Sequence, residues 1–257
     1  RTKGTELTIP ETNLNGKWAL ITGAGKRLGE CMARTLHQHG ASIAIHYRSS
    51  EKPAQELADS LNGLRAGSAF TAQADLLNID ELNALVKTVT DKTGQLDILV
   101  NNASSFYPTP LGTVTEAQWH DLVGSNLKAP LFLAQAALPF LRATHGVIIN
   151  IVDIHSQRPL KDHTVYGPSK AALSMLTKTL AKDLAPEVRV NGVSPGAILW
   201  PDEGMPEKIA ETIIKQVPMK RVGDPTDIAR TVLFLVKDAP YITGQIIAVD
   251  GGRSVGW

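Results

Sequence analysis

Seven short apolar runs rich in β-branched residues recur along the chain, at residues 18–22, 42–46, 69–72, 98–101, 147–152, 189–193 and 245–249. Intervals with helical periodicity fill most of the gaps, beginning near Leu28, Pro53, Ile79, Glu116, Thr164, Pro206 and Thr226. Strands that alternate with helices are joined by crossovers and therefore run parallel, and continuous apolar strands are buried on both faces. Pro225 followed by Thr226 and Asp227 is a favourable helix start. The expected fold is α/β: one doubly wound domain with a seven-stranded parallel sheet flanked by helices. Ligands of such a sheet bind beyond the C-terminal ends of the strands.

The 257 residues, 43% of them apolar, suffice for a sizeable core. Lys plus Arg at 26 against Asp plus Glu at 25 leaves a net charge of +1, too balanced for a nucleic-acid footprint or a polybasic membrane surface. No stretch approaches the roughly 20 apolar residues that span a bilayer. Small molecules or further subunits are the expected partners, with no nucleic acid and no membrane. The single cysteine, Cys31, cannot form an internal disulfide, which fits a reducing compartment, and the cytoplasm is the expected location. Residues 1–16 lack the apolar segment of a signal peptide and are expected to be a mobile lead-in to a domain over 17–257.

The stretch WALITGAGKRLGE places Gly23, Gly25 and Gly29 between the first strand and the first helix. Backbone N–H groups and the helix dipole receive a pyrophosphate at such a turn. The spacing is not G-x-G-x-x-G, so the motif is a variant whose weight comes from its position after the first strand. At the end of the second strand, where an acid would read a 2′-hydroxyl, the chain carries His46, Arg48, Ser49 and Ser50. Arg48 and the serines suit a 2′-phosphate, and Lys26 and Arg27 add positive charge, so the expected cofactor is NADPH.

In VIINIVDIH, residues 147–155, an apolar strand ends on a carboxylate, Asp153, thirteen residues before Tyr166. Tyr166 and Lys170 are four apart, which puts them on one face of a helix. A lysine so placed is expected to lower the tyrosine's pKa and make the phenol a workable proton donor.

Taken in order, Thr22 to Gly29, Asn101-Asn102-Ala103, Asn126, Tyr166-x-x-x-Lys170, Pro195-Gly196, Ile242-Thr243-Gly244 and Val249-Asp250-Gly251-Gly252 resemble the short-chain dehydrogenase/reductase family over roughly residues 16 to 257. The resemblance implies a Rossmann-like domain, a nicotinamide cofactor, Tyr166 and Lys170 as catalytic residues, and Asn126 as holder of a proton-relay water. Three departures from the common pattern resemble the pteridine reductases of that family: Arg27 and Ser104 where glycine is usual, and Asp153 where serine is usual. His46-Tyr47-Arg48-Ser49, the stretch NNASSFYPTPL and Tyr241-Ile242-Thr243-Gly244 share that likeness.

The resemblance implies that Asp153 and Tyr166 deliver a proton to a pterin nitrogen while Lys170 orients the nicotinamide ribose. Partial burial would raise the Asp153 pKa so that the carboxyl holds a proton. The cofactor would lie along Gly23, Lys26, Arg27 and Leu28, then His46, Tyr47, Arg48 and Ser49. Asp75 would contact the adenine and Asn102 would lie near its ribose; Leu76, Ala103, Ser104 and Ser125 would also line the cofactor, with Ser104 bonding the pterin or a phosphate and Ser125 beside Asn126. Pro195 and Gly196 would close this site. The pterin would meet Arg27, Ser104, Asp153 and Tyr166, stack on Phe106, and be walled by Leu199, Trp200 and Met205. No metal site is expected. A homotetramer packed through the helices near Glu116 and Thr164 is implied as well.

The expected activity is NADPH-dependent reduction of pterin C=N bonds, in dihydrobiopterin, dihydromonapterin or a dihydrofolate-like substrate. A carbonyl or 3-oxoacyl reductase of the same family is the alternative, and a non-catalytic nucleotide-binding regulator the third reading.

Overall fold

The computed structural model describes residues 13–198 and 206–255. Most of the expected lead-in, together with Leu199, Trp200 and Met205, lies outside them. Seven parallel strands form one sheet in the order β3-β2-β1-β4-β5-β6-β7. They are β1 (Trp18–Ile21), β2 (Ser42–Tyr47), β3 (Ala69–Gln73), β4 (Ile98–Asn101), β5 (Val147–Ile151), β6 (Arg189–Pro195) and β7 (Ile246–Val249). The order reverses between β1 and β4, whose Ala19, Leu20 and Ile21 pair with Ile98, Leu99 and Val100. A crevice opens above the strand ends at such a reversal, and the first crossovers leave to opposite sides of it.

Helices α1 (Arg27–Gln38), α2 (Glu51–Leu64) and α8 (Pro225–Lys237) cover one face of the sheet, and α3 (Ile79–Thr93), α5 (Ala129–Thr144) and α6 (Tyr166–Leu184) cover the other. α4 (Glu116–Val123) precedes α5, and α7 (Glu207–Gln216) follows β6. Alternate residues of each strand enter two separate cores: Ala19, Ile21, Ile43 and Ile45 on one side, Leu20, Ala44, Leu99 and Ile148 on the other. This is why the strands read as unbroken apolar runs. Local signals fix the helix starts: Thr115 and Gln118 form a reciprocal cap on α4, and Asp224 and Asp227 do the same on α8 with Pro225 in its first turn.

Two expectations change. The segment just before β1 is anchored: Leu14 is 6% exposed in the α1-side core, and its N–H donates to the His39 carbonyl at 2.9 Å. One apolar side chain in an otherwise polar stretch is enough to dock it. The single helix expected from Glu116 is broken by a π-helical turn, Gly124–Lys128, which holds Ser125 and Asn126. Such a turn widens the helix by one residue and rotates the side chains after it, a device frequent at functional sites.

Candidate active site

A cleft of about 960 Å³ runs along the strand ends, from the Gly23 turn past β2 to Tyr166. At its nucleotide-like end the chain passes from β1 into α1 through residues without side-chain bulk. Gly23 takes φ +61°, a left-handed conformation natural to glycine. A Cβ on Gly29 would sit 2.4 Å from the Gly23 carbonyl oxygen, so only glycine lets α1 approach the turn this closely. Lys26, at the N-cap of α1, makes no side-chain cap. Arg27 begins the helix at φ +54°, where a side chain is strained.

Gly23, Lys26, Arg27 and Leu28 line the cleft here, facing His46, Tyr47, Arg48 and Ser49 at the end of β2. Asp75 and Leu76 follow β3, Asn102, Ala103 and Ser104 follow β4, Ser125 comes from the π-helical turn, and Pro195 and Gly196 end β6; all of them line the same cleft. The glycine turn beside exposed Lys26, Arg27 and Arg48 matches a dinucleotide carrying phosphate.

Several of these side chains do other work than expected. The His46 ring is 1% exposed and bonds the Gly23 N–H at 3.1 Å and the Ala74 carbonyl at 3.0 Å, so it braces the turn rather than reading a ribose. The Asn102 amide donates to the Thr22 and Gly23 carbonyls at 2.9 and 3.2 Å, tying the end of β4 to that turn. Ser104, which lines the cleft, donates to Asn126 Oδ1 at 2.8 Å and keeps its oxygen free to accept. Asn126 is 1% exposed; its Nδ2 donates to the Ser105 carbonyl and Ser169 Oγ, and its Oδ1 also accepts from the Ser105 N–H. With both amide protons and both acceptor directions engaged, the side chain joins three segments.

At the other end, β5 and α6 bring the reacting groups together. Tyr166 Oη donates to Asp153 Oδ2 at 2.7 Å, and Asp153 Oδ1 accepts from the His155 N–H at 2.8 Å, capping the short 3-10 turn Ile154–Ser156. Tyr166 is 4% exposed and Lys170 2%. Lys170 Nζ donates to the Ile151 carbonyl at 2.9 Å and lies 5.9 Å from the centre of the Tyr166 ring. Burial lowers the Lys170 pKa to about 8, partly opposed by the Asp153 charge. The expectation that Lys170 depresses the Tyr166 pKa is not met. Burial, followed by the adjacent Asp153 carboxylate, pushes the phenol well above its ordinary value, so it holds its proton firmly.

Phe106, 55% exposed, projects into the cleft, edge-on to Tyr166 at 4.7 Å between centroids and stacked on His163 at 4.9 Å. Three residues on, Thr109 is fully buried and clamps two loops. The Thr109 N–H donates to the Asp162 carbonyl at 2.6 Å, its carbonyl accepts from Thr164 Oγ1 at 2.6 Å, and its hydroxyl accepts from the Val165 N–H at 3.2 Å. Sequence reasoning missed Thr109 and His163. It also missed Arg253, which lines the cleft and donates to Gln216 Oε1 at 3.1 Å. Only the closeness of His163 to Tyr166 and of Arg253 to the Gly251-Gly252 pair hinted at them.

A doubly wound parallel sheet, a glycine turn at its reversal point and a Tyr-Lys pair beside a strand-end acid define a dehydrogenase or reductase; the chain belongs to the short-chain dehydrogenase/reductase family. The family profile described as enoyl-(acyl carrier protein) reductase matches residues 23–254. Pteridine reductase 1 of Leishmania tarentolae is 39% identical over 278 aligned positions, taking in 92% of this chain and 96% of that protein. The 3-oxoacyl-[acyl-carrier-protein] reductase of Staphylococcus aureus strain Mu50 is 35% identical over 240 positions, 92% of this chain and 97% of that one. The structure of 7α-hydroxysteroid dehydrogenase complexed with NADH and 7-oxo glycochenodeoxycholic acid superposes with a TM-score of 0.88 at 34% identity, covering 93% of this chain and 95% of that one.

Proposed function

We propose that the chain is an NADPH-dependent pteridine reductase, reducing a C=N bond of a dihydropterin or dihydrofolate to the tetrahydro form. The observation that carries the reading is the Tyr166–Asp153 hydrogen bond, 2.7 Å long, in the lining of a cleft that also offers the Phe106 ring. The likeness to pteridine reductase 1 supports it, and Lys26, Arg27 and Arg48 supply charge for a 2′-phosphate.

Reduction of C=N adds a hydride at carbon and a proton at nitrogen, and bound NADPH supplies the hydride. The proton comes from the chain. A phenolate left beside the Asp153 carboxylate would be a pair of adjacent anions in a buried site, so Tyr166 releases its proton only as it regains one. In the proton-loaded pair, Asp153 Oδ2–H donates to Tyr166 Oη while Tyr166 Oη–H points at the pterin nitrogen. One proton leaves through Tyr166, and the pair ends as neutral tyrosine and aspartate carboxylate. Asp153 is partly open to the cleft and regains its proton from solvent. Phe106 offers a planar face for a flat heteroaromatic ring once His163 yields its place.

Self-association belongs to the same reading: Trp119, Leu131 and Met175 expose apolar side chains on α4, α5 and α6, the region of the implied homotetramer contact.

The test is NADPH oxidation with dihydrobiopterin or dihydrofolate in parallel with an acetoacetyl thioester. Turnover on a pterin supports the reading; turnover on the thioester alone overturns it in favour of a 3-oxoacyl reductase, and binding without any turnover favours a regulator.

A further inference from the structure

We infer that His46 is a positioning residue for the cofactor, a neutral imidazole in one tautomer whose two ring nitrogens hold the Gly23 turn and the segment after β3 at a fixed separation. The inference rests on nucleotide binding in the cleft and not on the identity of the substrate.

The geometry admits one protonation state. Gly23 offers an N–H, so Nδ1, 3.1 Å away, must accept; Ala74 offers a carbonyl, so Nε2, 3.0 Å away, must donate. Only the Nε2–H tautomer of the neutral ring does both. A third bond fixes the base of the strut, because the Ala24 N–H donates to the His46 carbonyl at 3.1 Å. The two segments held in this way carry cleft residues on either side: Gly23, Lys26 and Arg27 on one, Asp75 and Leu76 on the other.

A second proton, on Nδ1, would point at the Gly23 N–H and break the bond that sets the turn. Burial lowers the ring's pKa from 6.5, opposed more weakly by the Ala74 bond and the Asp75 charge. Of the charged groups around the ring, Asp75 comes from the connection after β3, Lys26 and Arg27 lie beyond the glycine turn, and Arg48 is the first residue past the end of β2. Because the folded-state value is depressed, the unfolded chain binds the extra proton first. The contribution of His46 to stability is therefore present above pH 6.5 and is lost as the pH falls below it.

Two substitutions separate the nitrogens. Asn Oδ1 is as many bonds from Cα as Nδ1 and accepts from Gly23, whereas Gln Nε2 is as many bonds away as the ring Nε2 and donates to Ala74; neither titrates. NADPH affinity, measured by cofactor fluorescence for wild type, His46→Asn and His46→Gln from about pH 8 down to about pH 5.5, spans the ordinary imidazole range. At the upper end His46→Asn should bind within about threefold of wild type and His46→Gln about tenfold more weakly. Towards acid the depressed pKa keeps the wild-type ring neutral in the folded protein, so wild type and His46→Asn should keep the same pH dependence of affinity; titration of the 2′-phosphate affects both alike. Equal affinity of the two variants, or a loss towards acid in wild type that His46→Asn does not share, would overturn the inference.

Thermal unfolding without cofactor gives a second readout. The wild-type melting temperature should fall relative to His46→Asn below pH 6.5, and curves that stay parallel count against the strut. If wild type takes up no NADPH, the nucleotide reading fails, while the unfolding curves still decide whether His46 braces the turn.

Discussion

Replacing Arg27 by glycine should make the protein more stable and a poorer binder of NADPH. Arg27 holds φ +54° at the first position of α1. A side chain in that region costs about 1–2 kcal/mol, which glycine does not incur. The guanidinium also adds positive charge where the helix dipole is itself positive, about 0.3–1 kcal/mol unfavourable. Against these stands the larger conformational entropy that glycine loses on folding, about 0.5–1 kcal/mol. The balance is a gain of about 1 kcal/mol, or a rise of roughly 3 °C in melting temperature for a domain of this size. An arginine on a phosphate contributes charge-assisted hydrogen bonds of about 1.5–3 kcal/mol, so NADPH affinity should fall by roughly tenfold to a hundredfold. Thermal unfolding of the cofactor-free protein and a fluorescence titration with NADPH read the two effects separately. A lower melting temperature would refute the strain argument, and unchanged affinity would refute the reason given for tolerating it.

Asp153→Asn keeps an acceptor for Tyr166 but no exchangeable acid proton; pterin turnover should fall by about a hundredfold or more while NADPH affinity holds, measured by steady-state kinetics and fluorescence. Lys170→Met removes an ammonium whose burial moves its pKa from 10.5 to about 8, a cost of about 3 kcal/mol. With about 1 kcal/mol lost at the Ile151 carbonyl, denaturant unfolding should show a gain of about 2 kcal/mol as activity disappears. Since the unfolded chain holds this proton up to pH 10.5, the Lys170 contribution to stability rises with pH between about 8 and 10.5, whereas activity that needs its charge declines above about 8 in a pH-rate profile. Thr109→Val removes the hydroxyl that accepts from Val165 and should raise the pterin KM about fivefold with little change in NADPH affinity, and Thr109→Ser should restore it.

The sheet was legible because burial on both faces writes each strand as a compact apolar run, and each of the seven expected strands appears within a residue or two of its ends. Asp153, Tyr166 and Lys170 were legible because their relation is local: a strand end, a loop and one helical turn. His46, Asn102 and Ser104 could be placed at the cleft but not assigned their bonds. Those bonds reach across 28, 80 and 22 residues of sequence; the first two end on backbone carbonyls, which carry no side-chain signature, and the third on the Asn126 side chain, a pairing that no local spacing identifies. Thr109 was invisible for the same reason, since its partners are mostly backbone groups of the loop before α6. The broken helix after Glu116 was hidden too: a π-helical turn adds one residue to a continuous helical run, and the Gly124 that opens it does not by itself mark a change of helix type.

These bonds divide the cleft into two halves with different freedom to change. Around the glycine turn the ties are short and enclosed: Thr22 Oγ1 accepts from the Asn102 and Ala103 N–H groups, Asn102 returns two donors, and His46 spans to Ala74. Substitution of any of these side chains strands a buried partner, at about 1–3 kcal/mol. On the substrate side Phe106 and His163 stand on loops held mainly through Thr109, and both rings are open to the cleft. They can be exchanged without unpairing a buried group. Asp153 stands between the two halves. Its backbone position is set by the sheet, and among the described residues its carboxylate hydrogen-bonds Tyr166 and one amide, so on the proposed reading an acid can replace a hydroxyl there and redirect proton delivery while the fold beneath it stays the same.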